Sequence, residues 1–94
     1  MIVYHFTIPA TDTADSRSFY FLRKAEAVAD CKKEAACMVK DDKALSGYAV
    51  EIRRSSLVAL PKKELMLRLL NQRGFLRDTV VVGEVHAPSV RGLT

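Results

Sequence analysis

Hydrophobic and polar residues alternate one for one at the start of the chain. In MIVYHFTI, Ile2, Tyr4, Phe6 and Ile8 fall on one face and Val3, His5 and Thr7 on the other. That period of two predicts a half-buried β-strand, which Pro9 ends. The polar, turn-rich PATDTADSR (9–17) is a connection of hairpin type. SFYFL (18–22) carries aromatic β-formers without helical spacing and predicts a second strand, with a helix from near Ser16 as the competing reading. The period then changes. In KAEAVADCKKEAACMV (24–39), Ala25, Val28, Cys31, Ala35 and Met38 or Val39 recur at helical spacing, in an Ala-rich segment suited to a helix. Arg23 stands where a Ser, Thr or Asp cap would be preferred, while Glu26 suits the first turn.

After a loop over 40–47, YAVEIRRSSL (48–57) alternates again, with Tyr48, Val50 and Ile52 on one face. A second helix is predicted from Pro61 to about 73, with proline at its first position and Gly74 at its stop. Leu65, Met66, Leu69 and Leu70 form its core-facing stripe. TVVVGEVH (79–86) is the last strand, and the residues from about 87 read as a flexible tail. The expected order is ββαβαβ. It predicts an α+β two-layer sandwich, in which a small, mostly antiparallel sheet of about four strands is covered by two helices on one face. The expected core is Ile2, Tyr4, Phe6, Val28, Cys31, Ala35, Val50, Ile52, Leu65, Leu69, Val80 and Val82.

Length agrees with this architecture. Ninety-four residues make a single domain over 1–94, which buries about 60–65% of its unfolded surface. That leaves room for two helices and a few strands but none for a second, substrate-binding domain. A hydrophobic content of 49% with 28% charged residues is globular composition. No apolar run approaches the roughly 20 residues of a membrane span. MIVYHFTIP lacks the basic start and small-residue cleavage site of a signal peptide. A cytoplasmic location is therefore expected, with Cys31 and Cys37 as free thiols.

Charge adds a second layer. The formal net charge is +4, yet residues 1–52 carry seven basic and eight acidic side chains. Residues 53–77 hold Arg53, Arg54, Lys62, Lys63, Arg68, Arg73 and Arg77 against Glu64 alone, a net of +6. Interspersed surface charge does not look like this. These seven residues are the candidate partner-binding set. They can neutralise nucleic-acid phosphates, with counterion release, or meet an acidic protein surface; the competing reading is a merely solvated face. Aromatic residues are sparse here, with Phe75 inside the window and Tyr48 just before it, and no helix-turn-helix spacing precedes residue 61. Contact with nucleic acid would then be mainly with backbone phosphates.

Chemistry is thin by comparison. His5, His86, Cys31 and Cys37 include every imidazole and thiol, and none are spaced as zinc ligands are. Cys31 and Cys37 lie six apart, about 240° around a helix, and so cannot face one ion. There is no G-x-S-x-G elbow and no phosphate-binding glycine loop. Ser55 and Ser56 read as a strand end, Glu26 with Asp30 as a solvated helix face, and Asp41–Asp42 as a turn. Neither a catalytic site nor a cofactor is expected.

FYFLRKAEAVADCKKEA and ALPKKELMLRLLNQ together resemble small phage- and prophage-encoded proteins that pair a strand–helix unit with a leucine-rich K-x-E-L-x-x-x-L-N helix. The resemblance covers about half the chain and implies a genomic setting but no activity; Arg23 departs from the Ser or Thr usual before the first helix. Through KAEA, the first unit also resembles the arm-type domains of integrases, whose three-stranded sheet reads DNA. The expectation is a non-enzymatic basic binding module contacting nucleic acid or a nucleoprotein through residues 53–77. The alternative is a protein–protein module, either a homodimer or an inhibitor docked on an acidic surface as a counter-defence protein.

Overall fold

A computed structural model describes residues 1–57, 62–63 and 76–89 of the chain. In order these form β1 (Ile2–Ile8), β2 (Arg17–Phe21), α1 (Lys24–Asp41), a 3-10 turn (Lys43–Leu45), β3 (Ala49–Leu57) and β4 (Leu76–His86). The strands make one sheet in the order β2-β1-β3-β4, antiparallel at every junction. The fold is thus α+β, a four-stranded antiparallel sheet with α1 packed across one face. The predicted second helix falls almost wholly outside the described residues; only Lys62 and Lys63 are described there, both helical and exposed.

Strict alternation in β1 turns into two chemically different faces. Phe6 and Ile8 point to α1 and are buried, with Tyr4 packed at the edge of the same cluster. β2 adds Phe19 and Phe21, placed opposite Phe6 and Tyr4 by the register. The Phe6 ring stacks on those of Phe19 and Phe21 at 5.1 and 5.9 Å between centroids, the cross-strand aromatic pairing that stabilises sheets. α1 answers with Ala27, Cys31, Ala35, Met38 and Val39. Small side chains over its first half let the helix lie close to the rings, and Val50, Ile52, Val85 and Ala87 complete the core.

The start of α1 has no side-chain cap, as Arg23 implied; the Arg23 carbonyl accepts from the Ala27 N–H at 3.2 Å. The expected loop over 40–47 is shorter and more ordered than its composition suggested. α1 runs on to Asp41, and the Asp42 carboxylate then accepts from the Ala44 N–H at 3.0 Å to start the 3-10 turn. Gly47, at φ +75°, reverses the chain into β3. Ala87 is buried and its N–H donates to the Tyr48 carbonyl at 2.8 Å, while the Pro88 carbonyl accepts from Gly47 N–H at 3.3 Å.

β4 departs most from the expected pattern. Ile52 pairs with Gly83 but Arg53 with Val81, and Arg54 pairs with Val80 but Ser56 with Arg77. Each jump leaves an extra residue on β4, a β-bulge, and at the second Asp78 takes φ +52°. Aspartate tolerates that left-handed conformation better than most side chains. The bulges overturn two expected core positions. Val80 is 48% exposed, because its partner Arg54 lies on the strand beyond the core. Val82, the extra residue of the first bulge, is only partly buried against the core. Val85 takes the interior position opposite Val50 instead. Ile2, Tyr4 and Val28 are likewise half-buried rather than interior. Leu65 and Leu69 lie outside the described residues.

Candidate functional site

The face of the sheet turned away from α1 carries the polar half of each alternation. β1 presents Val3, His5 and Thr7, β2 presents Ser18 and Tyr20, and β3 presents Ala49, Glu51, Arg53 and Ser55. Register brings these together: His5 lies opposite Tyr20 on one side and Arg53 on the other. The His5 and Tyr20 rings stack at 5.5 Å with 26° between planes. Thr7 and Ser18 hydroxyls share a 2.9 Å hydrogen bond. Arg53 donates from Nη2 and Nε to Glu51 Oε2 at 3.0 and 3.3 Å.

A groove of about 420 Å³ opens on this face, lined by His5, Thr7, Pro9, Tyr20, Tyr48, Ala49, Glu51, Arg53 and Leu76 among others. Tyr20 and Tyr48 are 49% and 42% exposed, so flat aromatic surface is open to a ligand. Burial, and then the positive charge of Arg53, hold the His5 pKa below its usual value. The ring is therefore neutral at physiological pH.

Beneath the groove rim runs a chain of hydroxyls. His5 Nε2 lies 2.7 Å from Ser55 Oγ, which lies 2.8 Å from Thr79 Oγ1. A serine beside an imidazole is the geometry of an activated nucleophile. Here, however, Ser55 is 1% exposed and its oxygen is held from two sides. So held, the triplet joins β1, β3 and β4 as a polar peg. The bulge at Asp78 makes it possible, since the extra residue brings Thr79 to Ser55.

Of the expected partner-binding residues, Arg53 and Arg54 are placed on different faces of the sheet. Arg53 faces the groove. Arg54, its neighbour in an extended strand, points to the opposite face, towards the cross-strand partner positions of Tyr4 and Val80. Arg77, opposite Ser56, lies on the Arg54 side. Arg53, Arg54 and Arg77 are exposed, as are Lys62 and Lys63. Arg68 and Arg73 lie outside the described residues. Arg53 thus lies on one sheet face and Arg54 and Arg77 on the other, because side chains alternate along a strand. What the basic window did not announce is its aromatic company. His5 and Tyr20 are 48 and 33 positions away from Arg53 in sequence, and only their places on the polar side of each alternation hinted at them; Tyr48 stands on the apolar side of its own alternation.

Both cysteines are free, Cys31 buried and Cys37 exposed. Burial, with a smaller contribution from Asp30, pushes the Cys31 thiol up to about 11, so it is inert. No group of three metal-ligating side chains occurs among the described residues, and no described helix is long and apolar enough to cross a membrane. Comparison of the chain with family models, with curated proteins and with solved structures finds no match.

Proposed function

We propose that the protein is a non-enzymatic nucleic-acid-binding module that takes a single strand or an unpaired loop across the groove. The observation that carries this reading is the convergence of His5 of β1, Tyr20 of β2, and Tyr48 and Arg53 of the β3 segment on one open groove. Single strands are bound by aromatic rings on which bases stack and by cations that follow the phosphates. Sequence-tolerant stacking on sheet aromatics is a recurrent way of holding unpaired bases. Arg53 meets a phosphate at the groove, while Lys62, Lys63 and the other basic residues of the 53–77 window supply longer-range attraction. Such ligands are met in the cytoplasm, where free thiols persist. A phage or prophage accessory role fits a module this small, on the sequence resemblance alone.

Fluorescence anisotropy with labelled single-stranded oligonucleotides tests the reading. Alanine at Tyr20 or Tyr48 should each weaken binding by about 1–3 kcal/mol, the usual worth of one base–aromatic stack. Arg53→Gln should reduce the slope of log affinity against log salt by about one phosphate contact. Unchanged affinity in all three variants, with the fold intact by circular dichroism, sinks the groove as the binding surface.

One observation favours the protein–protein alternative. Val80 and Val81 are 48% and 52% exposed on β4, the last strand in the sheet order. A salt-insensitive complex abolished by Val81→Lys, and indifferent to Tyr20→Ala, would mark that strand as the contact.

A further inference from the structure

Glu51 is out of place in a groove built only for phosphates. Its carboxylate lines the same cleft as Tyr20, Tyr48 and Arg53, and its cross-strand partner is Glu84. Glu84 is turned to its own neighbour, His86, at 3.5 Å. A negative group there repels the backbone of any strand that enters. It acquires a use only where a ligand offers hydrogen-bond donors, and in a nucleic acid those are on the base edges and, in RNA, on the 2′-hydroxyls.

We infer that Glu51 makes the groove selective for unpaired guanine, an inference that rests on the nucleic-acid reading above. Carboxylates only accept hydrogen bonds, and both of their oxygens can be engaged at once. Among the four bases, guanine alone presents two adjacent donors on its Watson–Crick edge, N1–H and N2–H, at a spacing that matches the two oxygens. Adenine and cytosine offer one amino group beside an acceptor, and that acceptor faces the carboxylate unfavourably. A base stacked on an exposed tyrosine ring has its edge free for such reading.

The bonds of Arg53 leave room for this. Both hydrogen bonds from its guanidinium fall on Oε2, and the two side chains are 51% and 42% exposed. An ion pair so open to water is weak, so Arg53 can move to a phosphate of the arriving strand as the base edge replaces it on Glu51. One ligand thereby satisfies both partners, the guanidinium with backbone and the carboxylate with base. The ion pair in the free protein keeps each group poised.

The test is anisotropy with eight-residue oligothymidylates carrying one central guanine, inosine, adenine or cytosine, together with the corresponding uridine-based RNAs. A single guanine avoids quadruplex formation, and the RNA series shows whether ribose matters. Wild-type protein should prefer the guanine strand roughly tenfold, within the range of a good bidentate base contact. Inosine, which keeps N1–H but lacks the N2 amino group, should lie between. Glu51→Gln should erase the preference, so that the guanine strand binds no tighter than the adenine and cytosine strands. If wild type binds all four strands alike, or Glu51→Gln keeps the guanine preference, the inference is wrong and the nucleic-acid reading survives. If no strand binds, that reading falls and this one with it.

Discussion

Replacing Ser55 with alanine removes one oxygen atom and tests whether three strands are pinned through it. The hydroxyl is 1% exposed and makes contacts of 2.7 Å with His5 Nε2 and 2.8 Å with Thr79 Oγ1. A typical hydrogen bond contributes about 0.5–1.5 kcal/mol net, so two give about 1–3 kcal/mol. The lower half of that range applies. Thr79 is exposed and His5 only partly buried, so both recover water when Ser55 is gone, and the expected cost is about 1–2 kcal/mol. That is appreciable in a domain with about 5–15 kcal/mol in all. Urea denaturation of Ser55→Ala at pH 7.5 measures it, and the double variant with His5→Gln separates the histidine bond from the threonine bond. Acid titration adds a second readout. The His5 pKa is lowered in the fold by burial and by Arg53, so as pH falls below the ordinary histidine value of about 6.5 the unfolded chain takes up a proton first. Stability is thus full above that pH and is lost as pH falls towards the depressed value. His5→Gln should remove that component of the decline, and Arg53→Gln should make it smaller, because the folded pKa then lies closer to the unfolded one. A Ser55→Ala protein within 0.3 kcal/mol of wild type, with an unchanged histidine titration by NMR, would show that the peg does not hold the strands.

Three further expectations follow from the packing and backbone. Phe6, 1% exposed and stacked on two other rings, should cost about 3–5 kcal/mol when cut to alanine, read as a shift in urea midpoint. Asp78 sits at φ +52° in a bulge, so Asp78→Gly should be neutral or stabilising, whereas Asp78→Val should lose about 1–3 kcal/mol to backbone strain. Cys37 is exposed and Cys31 buried with its thiol raised to about 11; a thiol reagent on the native protein should therefore modify one cysteine rapidly and the other only on unfolding, counted by mass spectrometry.

Sequence pattern located the described strands because alternation is a local signal, and α1 because its small apolar residues recur at helical spacing. What failed was anything depending on a neighbour. The bulges of β4 arise from pairing with β3, so the alternation of TVVVGEVH assigned Val80 and Val82 to the core while Val85 holds the interior position. Ser55 looked like a strand end, and its burial becomes apparent only when His5, 50 positions away, meets it. The helix outran its apolar stripe to Asp41 because the Asp42 N–H still reaches the Met38 carbonyl at 2.9 Å. The groove was the least legible feature. Its parts come from β1, β2, the start and middle of β3 and the start of β4, each unremarkable where it stands in the chain.

Charge counted along the chain and charge counted at the groove are different quantities, and this difference constrains how binding can work. The 53–77 window carries a net of +6, yet strand alternation sends Arg54 and Arg77 to the other face of the sheet. At the groove itself Arg53 is balanced by Glu51 at 3.0 Å, and His5 is held neutral by burial and by that same arginine. The cleft is thus close to electrically neutral although the chain is basic. Attraction over distance falls to charges outside the cleft, which salt screens. On the proposed nucleic-acid reading, residence inside it would fall to tyrosine surface and to the Glu51–Arg53 pair, which salt affects far less. Adding salt should therefore slow association much more than it speeds release. A ligand held only by scattered surface lysines would show the reverse, dissociating faster as each phosphate contact is competed away.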